Sequence, residues 1–175
     1  MLKLLALVIV LIVAAVLLFA LTRPDTFRVK RATAINAPPE RIFSFINDFT
    51  RWPAWSPYES KDPNLKRSYG ATPAGKGASY AWEGNKDVGA GRMEIVEAAA
   101  PGRVAIKLDF TRPFEAHNMV VFTMVPAGEA TEVTWDMQGP ANYLSKLIGV
   151  FINMDRMVGK DFEVGLANLK AAAEK

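Results

Sequence analysis

The chain has 175 residues, with 21 Lys and Arg against 18 Asp and Glu, and no cysteine. That length holds one ordinary domain and an appendage. The missing cysteine excludes disulfides, thiolate metal sites and cysteine nucleophiles, and a net charge of only +3 without a clustered basic face excludes the footprint of a nucleic-acid binder.

From Leu4 to Leu21 no side chain is polar. About 18 residues at 1.5 Å each give a helix of roughly 27 Å, close to the hydrocarbon thickness of a bilayer. Thr22, Arg23 and Pro24 then stop it. A cleaved signal peptide would have a shorter apolar run ending in small residues. Here the run is long, and Leu18-Phe19-Ala20 puts a bulky residue where a small one is needed. The expectation is a retained anchor over residues 1–23 and a folded domain over 24–175. Counting Arg28, Lys30 and Arg31 by the positive-inside rule favours the cytoplasm, but those residues belong to the first strand. A short basic tip and then a long apolar run is the layout of a signal anchor, which exports the domain C-terminal to it.

Residues 26–36 alternate as a strand, with Phe27, Val29, Thr33 and Ile35 on one face. Arg31 interrupts that face, which suits an edge or rim. Pro38-Pro39-Glu40 starts a helix, since proline is tolerated in a first turn, and Ile42, Phe45, Ile46 and Phe49 form one stripe. Two prolines and three aromatic rings stiffen the loop Arg51–Tyr58. Strands are then predicted near Leu65–Tyr69, Ala78–Glu83, Gly91–Ala98, Val104–Phe110, Glu115–Val125 and Glu132–Met137. Short turns separate them, so an antiparallel meander is expected. From Ala141 to Ala173 apolar residues recur every three or four positions, which predicts one helix of roughly 45 Å. Gly149, Gly159 and Gly165 lie inside it as close-packing points or bends.

The resulting order is strand, short helix, aromatic loop, about six strands and a long helix. It is an α+β arrangement in which a curved antiparallel sheet wraps one helix and leaves a hollow between them. The residues that carry a family likeness are Ile35-Asn36-Ala37-Pro38-Pro39-Glu40, Asn47-Asp48-Phe49 and Trp52-Pro53-Ala54-Trp55-Ser56-Pro57. With them go Trp82-Glu83-Gly84, Gly89-Ala90-Gly91, Val133-Thr134-Trp135 and the stretch Met154–Glu163. Together they resemble the superfamily of StAR-related lipid-transfer domains, the birch-pollen allergen and aromatic polyketide cyclases. Within it the chain looks like the polyketide cyclase/dehydrase group, in the membrane-anchored form common among bacterial proteins; with the signal-anchor layout, the expectation is a bacterial inner-membrane anchor and a domain on the periplasmic side. The resemblance implies the helix-grip fold and a pocket between sheet and long helix. It implies no particular activity, because only some members catalyse.

The expected ligand is a hydrophobic or lipid-like small molecule, with no cofactor, no metal and no nucleic acid; a protein partner is left open. Candidate pocket residues are Trp52, Trp55, Tyr58, Trp82, Phe110, Phe114, Met119, Trp135 and Met137, about half of which would line a cavity and the rest the core. Arg112, beside Pro113, could guard the rim or contact an anionic head group, although such an arginine is more often a plain surface residue. His117, the one histidine, shares a strand face with Met119 and Val121 and could point into the pocket. There it would serve a cyclase-like rival reading as proton carrier, although a lone strand histidine is more often an ordinary polar residue. A third reading makes the aromatic loop a docking site for another membrane protein. Gly89-Ala90-Gly91 lacks the context of a dinucleotide loop and reads as a turn or bulge.

Overall fold

Alternating apolar residues on successive strands build one seven-stranded antiparallel sheet. The strands are β1 (Thr26–Ile35), β2 (Lys66–Tyr69), β3 (Ser79–Glu83), β4 (Ala90–Ala99), β5 (Arg103–Arg112), β6 (Ala116–Ala127) and β7 (Ala130–Pro140). Their order is β1-β7-β6-β5-β4-β3-β2, so every connection after β2 is to a neighbour and only β1 crosses to the far edge. A computed structural model describes all 175 residues.

Four α-helices complete the chain: α1 (Leu2–Leu21), α2 (Pro39–Ile46), α3 (Tyr143–Phe151) and α4 (Met154–Ala173). Two 3₁₀ turns, Phe49–Ala54 and Pro57–Ser60, carry the aromatic loop. This is the helix-grip architecture expected, with α4 lying across the concave face of the sheet. α1 is long and apolar enough to cross a membrane, and only Ala20 in it is buried.

The single 45 Å helix expected at the C-terminus is two helices. Ile152 adopts an extended conformation, and Asn153 caps α4 by accepting a hydrogen bond from the Arg156 amide. α4 alone grips the sheet, through Phe162, Leu166 and Leu169. No residue of α3 is buried. Gly165 is a close-packing point, because a Cβ there would stand 2.7 Å from the Trp135 ring and 2.9 Å from Pro57. Gly149 is neither a close-packing point nor the bend.

Arg31 explains how α4 begins. β1 is an edge strand, as its interrupted apolar face suggested. The Arg31 guanidinium donates to Glu163 at 2.8 Å and to Asp155 at 2.9 and 3.1 Å. It sits so close to Gly159 that a Cβ there would lie 1.9 Å from Nη2. The hydrogen bond from Arg31 holds the Asp155 carboxyl below its ordinary value of 3.8, and partial desolvation opposes this. A carboxyl depressed in the folded state contributes above its unfolded pKa, and that contribution is lost as pH falls through the folded one. Acidification below about pH 4 is therefore expected to loosen the first turn of α4 while its C-terminal half stays closed. Hydrogen exchange of amides 155–159 against 166–169, corrected for intrinsic rates, checks this.

Candidate functional site

The space between α4 and the middle of the sheet is filled. Trp135 stacks on Phe162 with ring centroids 4.0 Å apart, and Phe122 and Trp55 pack on it at 5.0 and 5.6 Å. Trp52 lies 4.8 Å from Trp55 and 5.2 Å from Phe49. The indole N–H groups of Trp52 and Trp55 donate to the carbonyls of Ile46 and Phe45, which fixes the loop against α2. Trp52, Trp55 and Trp135, expected among the pocket candidates, are sealed core residues, and the hollow expected directly beneath the long helix is occupied by their rings.

The inner face does open, but at one end. Along β5 the inward side chains pass from fully sealed Val104 and Ile106 to Leu108 at 9% exposure and a half-buried Phe110. Along β6 they pass from sealed Phe122 to Asn118 at 8%, and along β7 from sealed Val133 to Met137 at 8%. The trend runs the same way on three adjacent strands. Phe27 on β1 and Trp82 on β3 are half-buried at the same end. α4 begins only after the break at Ile152-Asn153, with its first turn on Arg31, so this end of β1 and β7 lies beyond it.

Register sets the residues of this open end side by side. Met93 pairs with Leu108, Leu108 with Asn118, and Gly139 with Phe27. The next row carries Trp82, Gly91 and Phe110. Both glycines make room: a Cβ at Gly139 would meet Asn118 Oδ1 at 2.1 Å, and one at Gly91 would meet the Trp82 ring at 2.5 Å. Trp82 packs edge-on to Phe110 at 5.5 Å and donates to the Val88 carbonyl at 3.0 Å. Asn118 is the one polar side chain in this apolar row. Its Oδ1 is buried and accepts no hydrogen bond, an arrangement costing about 1–3 kcal/mol. Its terminal torsion is soft, so the amide can turn toward a guest.

Four other candidates fall outside the concavity. His117 and Met119 alternate with Asn118 and Val120, so they project from the outer face of the sheet, against the expectation that they point inward. His117 lies 2.7 Å from Asp109 across β5, largely in solvent, and the hydrogen bond between them holds the Asp109 carboxyl below its usual range. On that face the imidazole cannot touch a molecule held on the inner one. Phe114 is exposed on the β5–β6 turn. Arg112 pairs with Glu83 at 3.1 Å and lines a hydrophilic depression of about 450 Å³ with Lys66 and Thr111.

Tyr58 is mostly covered where the aromatic loop meets α4, and burial pushes its hydroxyl pKa up, with Asp161 adding to the shift. Trp82, Phe110 and Met137 do reach the open end. Sequence reasoning missed Asn118, Phe27, Leu108 and Gly139 there. No group of three or more His, Asp and Glu converges on a common point that could hold a metal ion.

Known structures share this architecture. A protein of Chromobacterium violaceum is 16% identical, with 87% of this chain and 99% of that one covered at a TM-score of 0.60. Ginseng major latex-like protein 151 from Panax ginseng is 14% identical over 87% and 100%, at 0.61. A Thermobifida fusca protein is 20% identical over 82% and 90%, at 0.62. At such identities the likeness is one of fold. No curated protein matches the chain in sequence. The family model described as polyketide cyclase / dehydrase and lipid transport matches residues 26–174, nearly the whole of the folded part, and the chain belongs to that family.

Proposed function

We propose that the domain holds a hydrophobic, lipid-like small molecule on the open end of the inner sheet face, and that α1 tethers it to the membrane supplying that molecule. The observation that carries this reading is Asn118. Ligand sites are mostly apolar with a few placed polar groups, and an unpaired amide between Leu108, Phe27 and Met93 is such a group. Family membership supports the ligand class. The length and composition of α1 support the tether.

The test uses full-length protein in detergent and two fluorescent acyl probes, one ending in a hydroxyl and one in a methyl ether. Asn118→Leu is expected to weaken the hydroxyl probe about tenfold, the equivalent of one hydrogen bond of roughly 1.4 kcal/mol. The ether probe, which has no proton to donate, should bind both proteins alike. Failure of the wild type to take up either probe, together with no lipid in organic extracts of the purified protein, defeats the reading.

A further inference from the structure

We infer that α3 and the corner joining it to α4 lie in the surface layer of a lipid bilayer, so that the open end of the sheet faces lipid directly. This rests on the reading of α1 as a membrane anchor and adds to it a second, laterally inserted element.

Exposed apolar residues carry the first part of the argument. Beyond residues 1–21, eleven large apolar side chains are well exposed, and seven of them fall between Tyr143 and Met157. Leu144, Ile148 and Phe151 repeat at i, i+4 and i+7, which puts them on one stripe of α3. Ile152, Met154 and Met157 extend that surface around the corner. Singly exposed residues such as Val125 need no explanation. A continuous patch at one corner marks an interaction site.

Position relative to α1 identifies the occupant. α3 packs against α1, and Tyr143 donates from its hydroxyl to the Leu17 carbonyl at 3.2 Å. Leu17 lies four residues before the end of α1, a depth of about 6 Å at 1.5 Å per residue. Interfacial helices bury their apolar face to about 5–10 Å. If α1 spans the bilayer, α3 is therefore already at that depth. Polar ties hold it there: Arg23 donates to the Gly149 carbonyl at 3.2 Å, and Lys146 pairs with Asp25 just past the anchor. A tyrosine beside two basic residues at the end of a span is the composition of a membrane–water boundary. A soluble protein partner would have no reason to sit level with the interior of α1.

The consequence concerns how a guest arrives. β7 ends at Pro140 beside Gly139 and the open row, and α3 begins after two residues. A helix seated in the lipid surface at that point brings the concavity to the bilayer, so an apolar molecule passes between them without crossing water.

The absence of cysteine makes site-specific labelling clean. Leu144→Cys, Phe151→Cys and, as control, Glu129→Cys on the β6–β7 turn are each labelled with a polarity-sensitive fluorophore in the full chain, in phosphatidylcholine/phosphatidylglycerol vesicles. The labels at 144 and 151 are expected to emit at shorter wavelength, to be quenched by brominated lipid, and to resist aqueous iodide several-fold better than the label at 129. Alkaline carbonate separates the two readings. Release of the protein from vesicles overturns the anchor and this inference with it. Retention with equal iodide quenching at all three sites overturns the inference alone, as does shielding from iodide without quenching by brominated lipid, which would mean a protein covers the patch. A Leu144→Asp/Phe151→Asp double variant, altered only at exposed positions, is expected to slow probe transfer from vesicles while leaving probe affinity in detergent unchanged. Unchanged transfer would equally overturn it.

Discussion

Replacing Trp135 with alanine is expected to remove about 3–5 kcal/mol of stability, a large part of the roughly 5–15 kcal/mol that holds a domain folded. The indole is 3% exposed and touches Phe162, Phe122 and Trp55, so its loss empties the place where α4, β6, β7 and the aromatic loop meet. Gly165 presses on the same ring with Pro57 on its other side, and neither can extend to fill the gap. For a domain of about 150 residues the loss corresponds to a fall in Tm of roughly 6–20 °C, read by near-ultraviolet circular dichroism of the full chain in detergent. Trp135→Phe should lose much less. The ring stacked on Phe162 remains, while the indole N–H, buried without a partner, disappears with its penalty of about 1–3 kcal/mol. Equal losses for the two variants would mean the stack is not what closes the interior.

That closed interior bears on how much was legible in the sequence. Strand alternation such as Val104, Ile106, Leu108, Phe110 marks a buried face without naming its neighbours, and it correctly located every strand of the meander. It could not say which side of β6 turns inward, since Met119 and Val121 are as apolar as Val120 and Phe122. The pairing of Val120, Phe122 and Met124 with Met137, Trp135 and Val133 decides it. That choice sends His117 outward and Asn118 inward. A one-residue step therefore separates the histidine that the alternation suggests from the asparagine that the fold presents.

The break between α3 and α4 was hidden for a different reason. An apolar stripe reads the same whether it faces protein or lipid, and the spacing from Leu144 to Val158 continues through the interruption. Asn153 ahead of Asp155 is a helix-start signal by residue type, but it stands inside an unbroken periodic run. The open end of the sheet depends on that break. Without it α4 would continue past Arg31 along β1, toward Phe27 and its neighbour Gly139.

Arg67→Met is expected to cost about 3 kcal/mol, the lower part of the range for orphaning a buried charge, because Arg67 keeps 30% of its side chain in solvent. Its partner Glu59 is 6% exposed and accepts from Arg67 Nε at 2.6 Å and from the Tyr80 hydroxyl at 2.7 Å. Burial and the bond to Glu59 both push the Tyr80 pKa up, so that hydroxyl stays a donor. With Arg67 gone, Tyr80 alone faces a carboxylate shut away from water. By contrast, breaking the exposed Arg103–Glu97 pair should cost less than about 1 kcal/mol. Adding Glu59→Gln to Arg67→Met removes the unpaired charge and leaves an acceptor for Tyr80, so the double variant should recover most of the loss. The same lesion should reach the ligand, since Tyr80 stacks on Trp82 at 6.1 Å and Trp82 lines the open row. Acyl-probe affinity should therefore fall in the single variant and return in the double, in step with stability. If stability returns and affinity does not, Arg67 contributes to the site by some route other than the Glu59–Tyr80 chain.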